Sequence, residues 1–386
     1  MIKRYIILLP ALLLSACSSM NPFDMLADQE SAVQPAELVE VDNHLTVTTL
    51  WSTTVGEGAG EQRVKLTPLV MDGRVYVAGH NGVIKALDGS SGRVAWSIDS
   101  GLEISGGVGG GEQLVLVGTA NAEVVAFDSA SGSERWRTRV SSEVLSTPRV
   151  GQGKVVVHTI DGKVVGLNVA DGSQAWLYDR TIPVLTLYGS SSPVISGNQV
   201  ICGFSSGKLA ALDLATGEPL WEISVTAPSG RSELERMVDI DGDPLVRDGV
   251  IFVTTYQGDM AAVSEADGTV LWRRKFSSYS GLGADAERLY VTDAEDHIWS
   301  IVPRNGSALW RNKKMQARQL SAPVVIGDYI MVGDFEGYLH WLERATGRIA
   351  ARTRVGKAPI SSPAVVVGNV AYVYGNGGTL SALTIH

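Results

Sequence analysis

The chain is poor in cysteine, with only Cys17 and Cys202 in 386 residues. That excludes a small disulfide-stapled scaffold. Cys202 lies in the strand-like run Val200-Ile201-Cys202-Gly203, where it reads as a buried small hydrophobe. The six histidines are scattered, with no His-x-x-x-His and no Cys/His cluster, so no zinc site is indicated. No Gly-x-Ser-x-Gly elbow occurs. The glycine run 106–111 lacks the Lys-Ser/Thr of a phosphate loop and leads into strand; it reads as a tight turn. Asp239-Ile-Asp241-Gly-Asp243 resembles the start of a calcium loop, but Pro244 and Val250 stand where that loop needs Gly and Glu. Positive charge is scarce as well: 32 Lys and Arg against 41 Asp and Glu leave a net charge of −9, which argues against nucleic acid. No cofactor, no metal and no catalytic group is expected.

Long apolar runs are also missing. Past the N-terminus nothing approaches the ~18 apolar residues of a membrane span. The N-terminus itself reads as a processing signal. Lys3 and Arg4 precede an apolar stretch, Tyr5 to Leu14, too short to cross a bilayer, and Leu14-Ser15-Ala16-Cys17 fits a bacterial lipobox. Residues 1–16 are then a signal peptide and Cys17 the acylated N-terminus of the mature chain. Removing Lys3 and Arg4 takes the charge from −9 to −11. Ser18 and Ser19 follow without the aspartate of an inner-membrane retention signal, which favours an outer membrane with the chain in the periplasm. Residues 17–43 hold six acids, two prolines and no Lys or Arg, and read as a flexible tether.

What the sequence does contain is a repeat. Its form is small-apolar-Asp-x-x-x-Gly-x-x-x-Trp. It reads ALDGSSGRVAW at 86–96, AFDSASGSERW at 126–136, GLNVADGSQAW at 166–176 and ALDLATGEPLW at 211–221. Degenerate copies follow at 262–272, 300–310 and 341–351, the last, WLERATGRIAA, without its Trp. Successive copies are separated by 40, 40, 45, 51, 38 and 41 residues, a propeller-like period. Each unit reads as four short strands; in the first, Leu66 to Met71, Arg74 to Ala78, Val83 to Leu87 and Val94 to Ile98. Trp51, Trp96, Trp136, Trp176, Trp221, Trp272 and Trp310 are expected to pack between blades. An eighth unit ends at His386 without a fourth strand, and Leu45 to Trp51 is a spare strand carrying the missing Trp. The expected fold is therefore all-β: an eight-bladed β-propeller over 44–386, four antiparallel strands per blade, closed by pairing of its termini.

Most links between units are short, but two successive ones lengthen: Trp176 to Pro193 and Trp221 to Pro244. Four-stranded blades return both to one face, and long connections on a rigid scaffold are favoured places for function. The first carries Leu185, Leu187 and Tyr188; the second carries Arg231 to Arg236, then Asp239 and Asp241. Apolar groups beside fixed acids resemble an interface core with a charged rim, while Leu185 and Leu187 could equally begin a buried strand.

Taken together, the lipobox, acidic tether, terminally closed repeats, Leu-x-Leu and Asp-x-Asp segments resemble the BamB family of outer-membrane protein assembly lipoproteins. The resemblance implies no catalysis. It implies binding to the periplasmic POTRA domains of the barrel protein BamA, contact with other assembly lipoproteins through BamA, and action on nascent outer-membrane proteins. It carries partner contacts onto Leu185, Leu187, Asp239 and Asp241; Tyr188 stands where the family commonly has arginine. The repeat also resembles that of pyrroloquinoline-quinone dehydrogenases, although this chain lacks their adjacent cysteines. A glycan- or protein-binding propeller unrelated to barrel assembly is the third reading.

Overall fold

The computed structural model describes residues 33–386 apart from Arg63, 181–184, Tyr188, Ser190 and Glu233. Cys17 and Tyr188 therefore lie outside the described residues. From Pro35 onward the chain forms one compact unit. The expected propeller is present: eight sheets of four antiparallel strands, the second carrying a short fifth strand, with no helix among the described residues. Blades one to seven span 69–99, 104–139, 149–178, 194–224, 245–275, 282–312 and 324–354. Blade eight combines Val365–Val367, Val370–Tyr374 and Thr379–Ile385 with Val47–Thr54 as its outer strand. Val47 pairs with Ile385 and Thr54 with Thr379, so the two chain ends close the ring. First strands of neighbouring blades approach one another around the axis.

The repeat motif explains how blades join. Each motif tryptophan donates its indole N–H to a carbonyl in the turn between the third and fourth strands of the next blade. These bonds run from Trp51 to Gly89, Trp96 to Ser129, Trp136 to Val169 and Trp176 to Leu214. They continue from Trp221 to Glu265, Trp272 to Pro303 and Trp310 to Arg344, all at 2.7–3.0 Å. The ring then covers the motif glycine of that turn. Gly217 has φ of +73°, and a Cβ on it would lie 2.5 Å from Trp176. Glycine is thus required twice, for its backbone conformation and for the absence of a side chain. The small first residue of the motif has the same cause: Ala86, Gly166 and Ala211 pair directly across from Trp96, Trp176 and Trp221.

Blade seven exchanges the two sizes. Trp341 stands at the small position and pairs with Ala351, where the tryptophan would be. The physical reason is the closure: the outer strand of blade eight is Val47–Thr54, from the other end of the ring, so that blade has no third-to-fourth turn to receive an indole. Leu45, arriving with the N-terminal strand, packs with Trp341, Ala350, Ala351 and Ile385 instead.

Three details differ from expectation. Leu66 to Met71 is not one strand, because Pro68 supplies no N–H. Leu69–Met71 is the inner strand of blade one, whereas Lys65–Leu66 pairs in parallel with Gly106 and Gly107 of blade two. The glycine run is not a turn: it belongs to the strand Ile104–Gly111, where a Cβ on Gly109 would lie 2.0 Å from the Pro148 carbonyl. Residues 35–43, read as part of the tether, run together with His44 along blade seven and are hydrogen-bonded to it and to the link before it. Cys202 is buried, as expected, and burial pushes its thiol pKa up.

Trp176→Ala should cost roughly 3–5 kcal/mol in urea unfolding, the usual range for deleting a large buried aromatic. Gly217→Ala should cost more than Gly73→Ala. Both glycines have φ of +73°, but a Cβ on Gly73 meets nothing within 4 Å. The expected values are about 2–4 and about 1 kcal/mol; equal costs would show that the tryptophan contact is not what selects glycine.

Candidate functional site

Each link from the fourth strand of one blade to the first of the next returns to one face, together with the hairpins between second and third strands. On that face the two long links, 179–193 and 225–244, are joined to each other. The first begins with Arg180, which pairs with Glu222 and lies over the Phe204 ring at 5.6 Å. The second ends in an extended run whose alternate residues face opposite ways. Val238 and Ile240 are buried, and Ile240 fills the space beside Gly203. Asp239, Asp241 and Asp243 face the other link like the teeth of a comb. Asp239 accepts the Leu187 N–H through Oδ2. Gly189 lies against the Asp241 carboxylate, where a Cβ would be 2.7 Å from Oδ1. Asp243 Oδ1 accepts the Ser192 N–H at 2.7 Å. The backbone is held too, since Tyr256 donates its N–H to Asp239 O at 2.8 Å and Asp239 forms a bridge with Ser205.

The comb is also braced across the propeller axis. Lys65 Nζ donates to Asp241 O at 2.9 Å, reaching from the segment before blade one to that before blade five. Arg149 of blade three pairs with Asp243 at 3.2 Å. Lys65, Arg149 and Asp243 border an axial cavity of about 370 Å³, lined by inner strands of six blades and by Ser192 and Asp243 of the links that enter blades four and five.

Burial sets the electrostatics. Asp239 is only 2% exposed, and its Oδ1 has no hydrogen-bond partner among the described residues. Desolvation raises its pKa to about 6; the Leu187 N–H opposes the rise and the Asp241 charge adds to it. Asp241 is raised in the same direction by burial, opposed by Lys65 and assisted by Asp243. Among the described residues no group of three His, Cys, Asp or Glu side chains is placed to hold a metal ion.

The site residues read from sequence are thus divided. Leu185 is 41% exposed and Leu187 half-buried. Asp239 holds the link through the Leu187 N–H and Asp241 lies against Gly189; Asp239, being buried, does not stand at a solvated rim. Sequence reasoning missed Leu234, 62% exposed at the tip of the second link. An apolar residue inside the charged run Arg231 to Arg236 was its visible signal. It also missed Lys65 and Arg149, for which sequence carries none: Lys65 lies 176 residues from its acceptor.

The chain matches the family described as outer membrane protein assembly factor BamB over residues 32–104, 80–312 and 294–386. It is 49% identical over 361 residues to the outer membrane protein assembly factor BamB of Alkalilimnicola ehrlichii, covering 94% of each chain. Among solved structures, BamB from Moraxella catarrhalis aligns with a TM-score of 0.80 and 27% identity, covering 88% of this chain and 100% of that one. A quinohemoprotein alcohol dehydrogenase from Comamonas testosteroni aligns with a TM-score of 0.68 over 88% of this chain and 76% of that one. Its identity is 14%, so that likeness concerns the fold alone.

The comb predicts a pH dependence. Since the folded pKa of Asp239 lies above its unfolded value of 3.8, its contribution to stability is full below that value and is lost as pH rises through about 6. Ionised Asp239 should cost up to about 3 kcal/mol at neutral pH. Asp239→Asn keeps an acceptor for the Leu187 N–H without the charge. It should be more stable than wild type at pH 7.5, with the difference vanishing near pH 4. Urea unfolding across that range checks it, and a parallel pH profile in both proteins would exclude Asp239 as the titrating group.

Proposed function

Because the chain belongs to the BamB family of outer membrane protein assembly factors, we propose that it is a non-catalytic scaffold whose link face docks the POTRA domains of BamA. The observation carrying this reading is the exposure of Leu185 and Leu234 on two long links whose backbones are locked together by Asp239 and Asp243. Apolar groups in a pre-ordered loop lose little conformational entropy on docking, so their burial goes mostly into affinity. Leu185 and Leu187 supply the apolar contact, and Tyr188, which follows them in the chain, is assigned to the same contact. Asp239 and Asp241 act by holding the link in shape.

Lipidation of Cys17 would hold the propeller at the periplasmic surface of the outer membrane, where BamA gathers the other assembly lipoproteins and nascent barrel proteins arrive. Several acyl chains make such anchoring stable, at about 0.8 kcal/mol per buried methylene. The quinoprotein reading rests on the shared repeat alone, and the glycan reading has no residue of its own to support it.

Co-purification of the tagged, membrane-extracted protein with BamA tests the assignment. Wild type should capture BamA. Leu185→Arg should reduce capture at least tenfold while leaving circular dichroism and unfolding unchanged. Asp239→Ala/Asp241→Ala should weaken capture and also speed hydrogen exchange at the Leu187 amide, which Asp239 holds. No capture by wild type, under conditions that keep the membrane complex intact, would sink the assignment.

A further inference from the structure

Residues 35–44 lie along the outer side of blade seven. His44 donates its N–H to Ala350 O at 3.1 Å, and its ring sits 3.3 Å from the Glu343 carboxylate. Asn43 Oδ1 accepts the Arg352 N–H at 3.1 Å, and Arg352 Nη1 donates to Val39 O at 2.9 Å. Further along, Arg318 Nη1 donates to Ala36 O at 3.0 Å, while Ala36 donates its N–H to Gln316 O at 2.9 Å. Most of these bonds go to backbone atoms of the segment, so the propeller recognises a path more than particular side chains.

The arginines that grip this segment are built in. Arg318 is 3% exposed and held by Asp334, itself fully buried, at 2.8 Å, with Glu336 as a second partner. Asp334 also lies 2.8 Å from His340 Nε2, and Arg352 Nε lies 3.3 Å from His340 Nδ1. The outer strands make the contrast plain. Leu220, Leu271 and Leu309, each one residue before its motif tryptophan, are about half exposed, whereas Ala350 at the same position of blade seven is buried.

Direction follows from the strand order. The outer strand Ile349–Arg354 runs from the turn face, where His44 meets Ala350, toward the link face. Gln316 and Arg318 belong to the link between blades six and seven. The segment therefore crosses the blade from the turn face and reaches the link face, the same one that carries Leu185 and Leu234.

We propose that residues 35–44 are an intramolecular strap, clamped by Arg318 and Arg352, that makes the N-terminal leader depart from the link face. The consequence for membrane orientation rests on Cys17 being lipidated, as read above. The reach between Cys17 and the propeller becomes about 60 Å, to Pro35, instead of about 90 Å to His44, at ~3.3 Å per residue. The membrane then pulls at the rim of the docking face, which keeps that face on the membrane side.

Hydrogen exchange on the full lipidated chain in detergent tests the clamp without any partner. Ala36→Pro/Asn43→Ala, which leaves the Arg318–Asp334–His340 cluster intact, should raise exchange at the His44 amide at least tenfold. Arg318→Met/Arg352→Gln should raise it at both Ala36 and His44, with the inner strands unchanged. Orientation is read by attaching a fluorophore to Leu234→Cys on the link face or Ser90→Cys on the turn face. The host is vesicles of phosphatidylethanolamine and phosphatidylglycerol with brominated chains. Wild type should be quenched more at 234 than at 90, and strap variants should lose the difference. Unchanged exchange in the variants, or an unchanged quenching difference, overturns the proposal. Loss of BamA capture with both signals as expected would count against the docking reading alone.

Discussion

An indole laid over a glycine, with its N–H on the carbonyl beside that turn, joins seven of the eight pairs of adjacent blades. Each contact uses groups from two repeats, so no blade is complete alone and the ring gains its order collectively. The small residue across from the tryptophan, the glycine in the next turn and the tryptophan itself are one geometric requirement seen from three positions. The eighth junction obeys the same logic by exception. With no turn to receive an indole, blade seven places its tryptophan one strand inward, and Leu45 of the incoming chain takes up the remaining space.

A ring closed in this way is stiff, and what lies between its blades inherits the stiffness. The long links would be entropically costly to order if left to themselves. Here Asp239 and Asp243, on one extended run, bind the adjacent link, with Asp241 against Gly189 between them, while Lys65 and Arg149 brace that run from elsewhere in the ring. The burial that orders the loops also perturbs Asp239, whose carboxylate is held in a place that disfavours its charge. Acidic residues that look like a solvated interaction motif in the sequence are, in the fold, partly the framework that presents the leucines.

Charge is put to a second structural use on blade seven, where a buried arginine, aspartate and histidine support the grip on residues 35–44. A buried guanidinium is costly unless its donors are used, so the carbonyls of the strap complete a set that the propeller leaves open. Strap, closure and long links thus form one arrangement. The segment from Pro35 onward begins beside the link before blade seven, seals that blade and completes blade eight.

The fold was legible in the sequence because its determinants are local and repeated. Asp, Gly and Trp at constant spacing mark one turn and one inter-blade contact, and the count of copies, with Trp51 spare at one end, dictates eight blades closed by the termini. The position of the candidate site was legible as well, from the unequal length of two links. What the sequence could not decide is which polar residues face solvent. Asp239 and Leu187 are far apart in the chain, as are Lys65 and Asp241, or Arg318 and Ala36. No spacing rule relates residues that meet only when the ring closes. The repeat, being short-range, was determined by sequence alone; the comb, the axial brace and the strap were decided by tertiary structure, because each depends on burial and partners contributed by other parts of the fold.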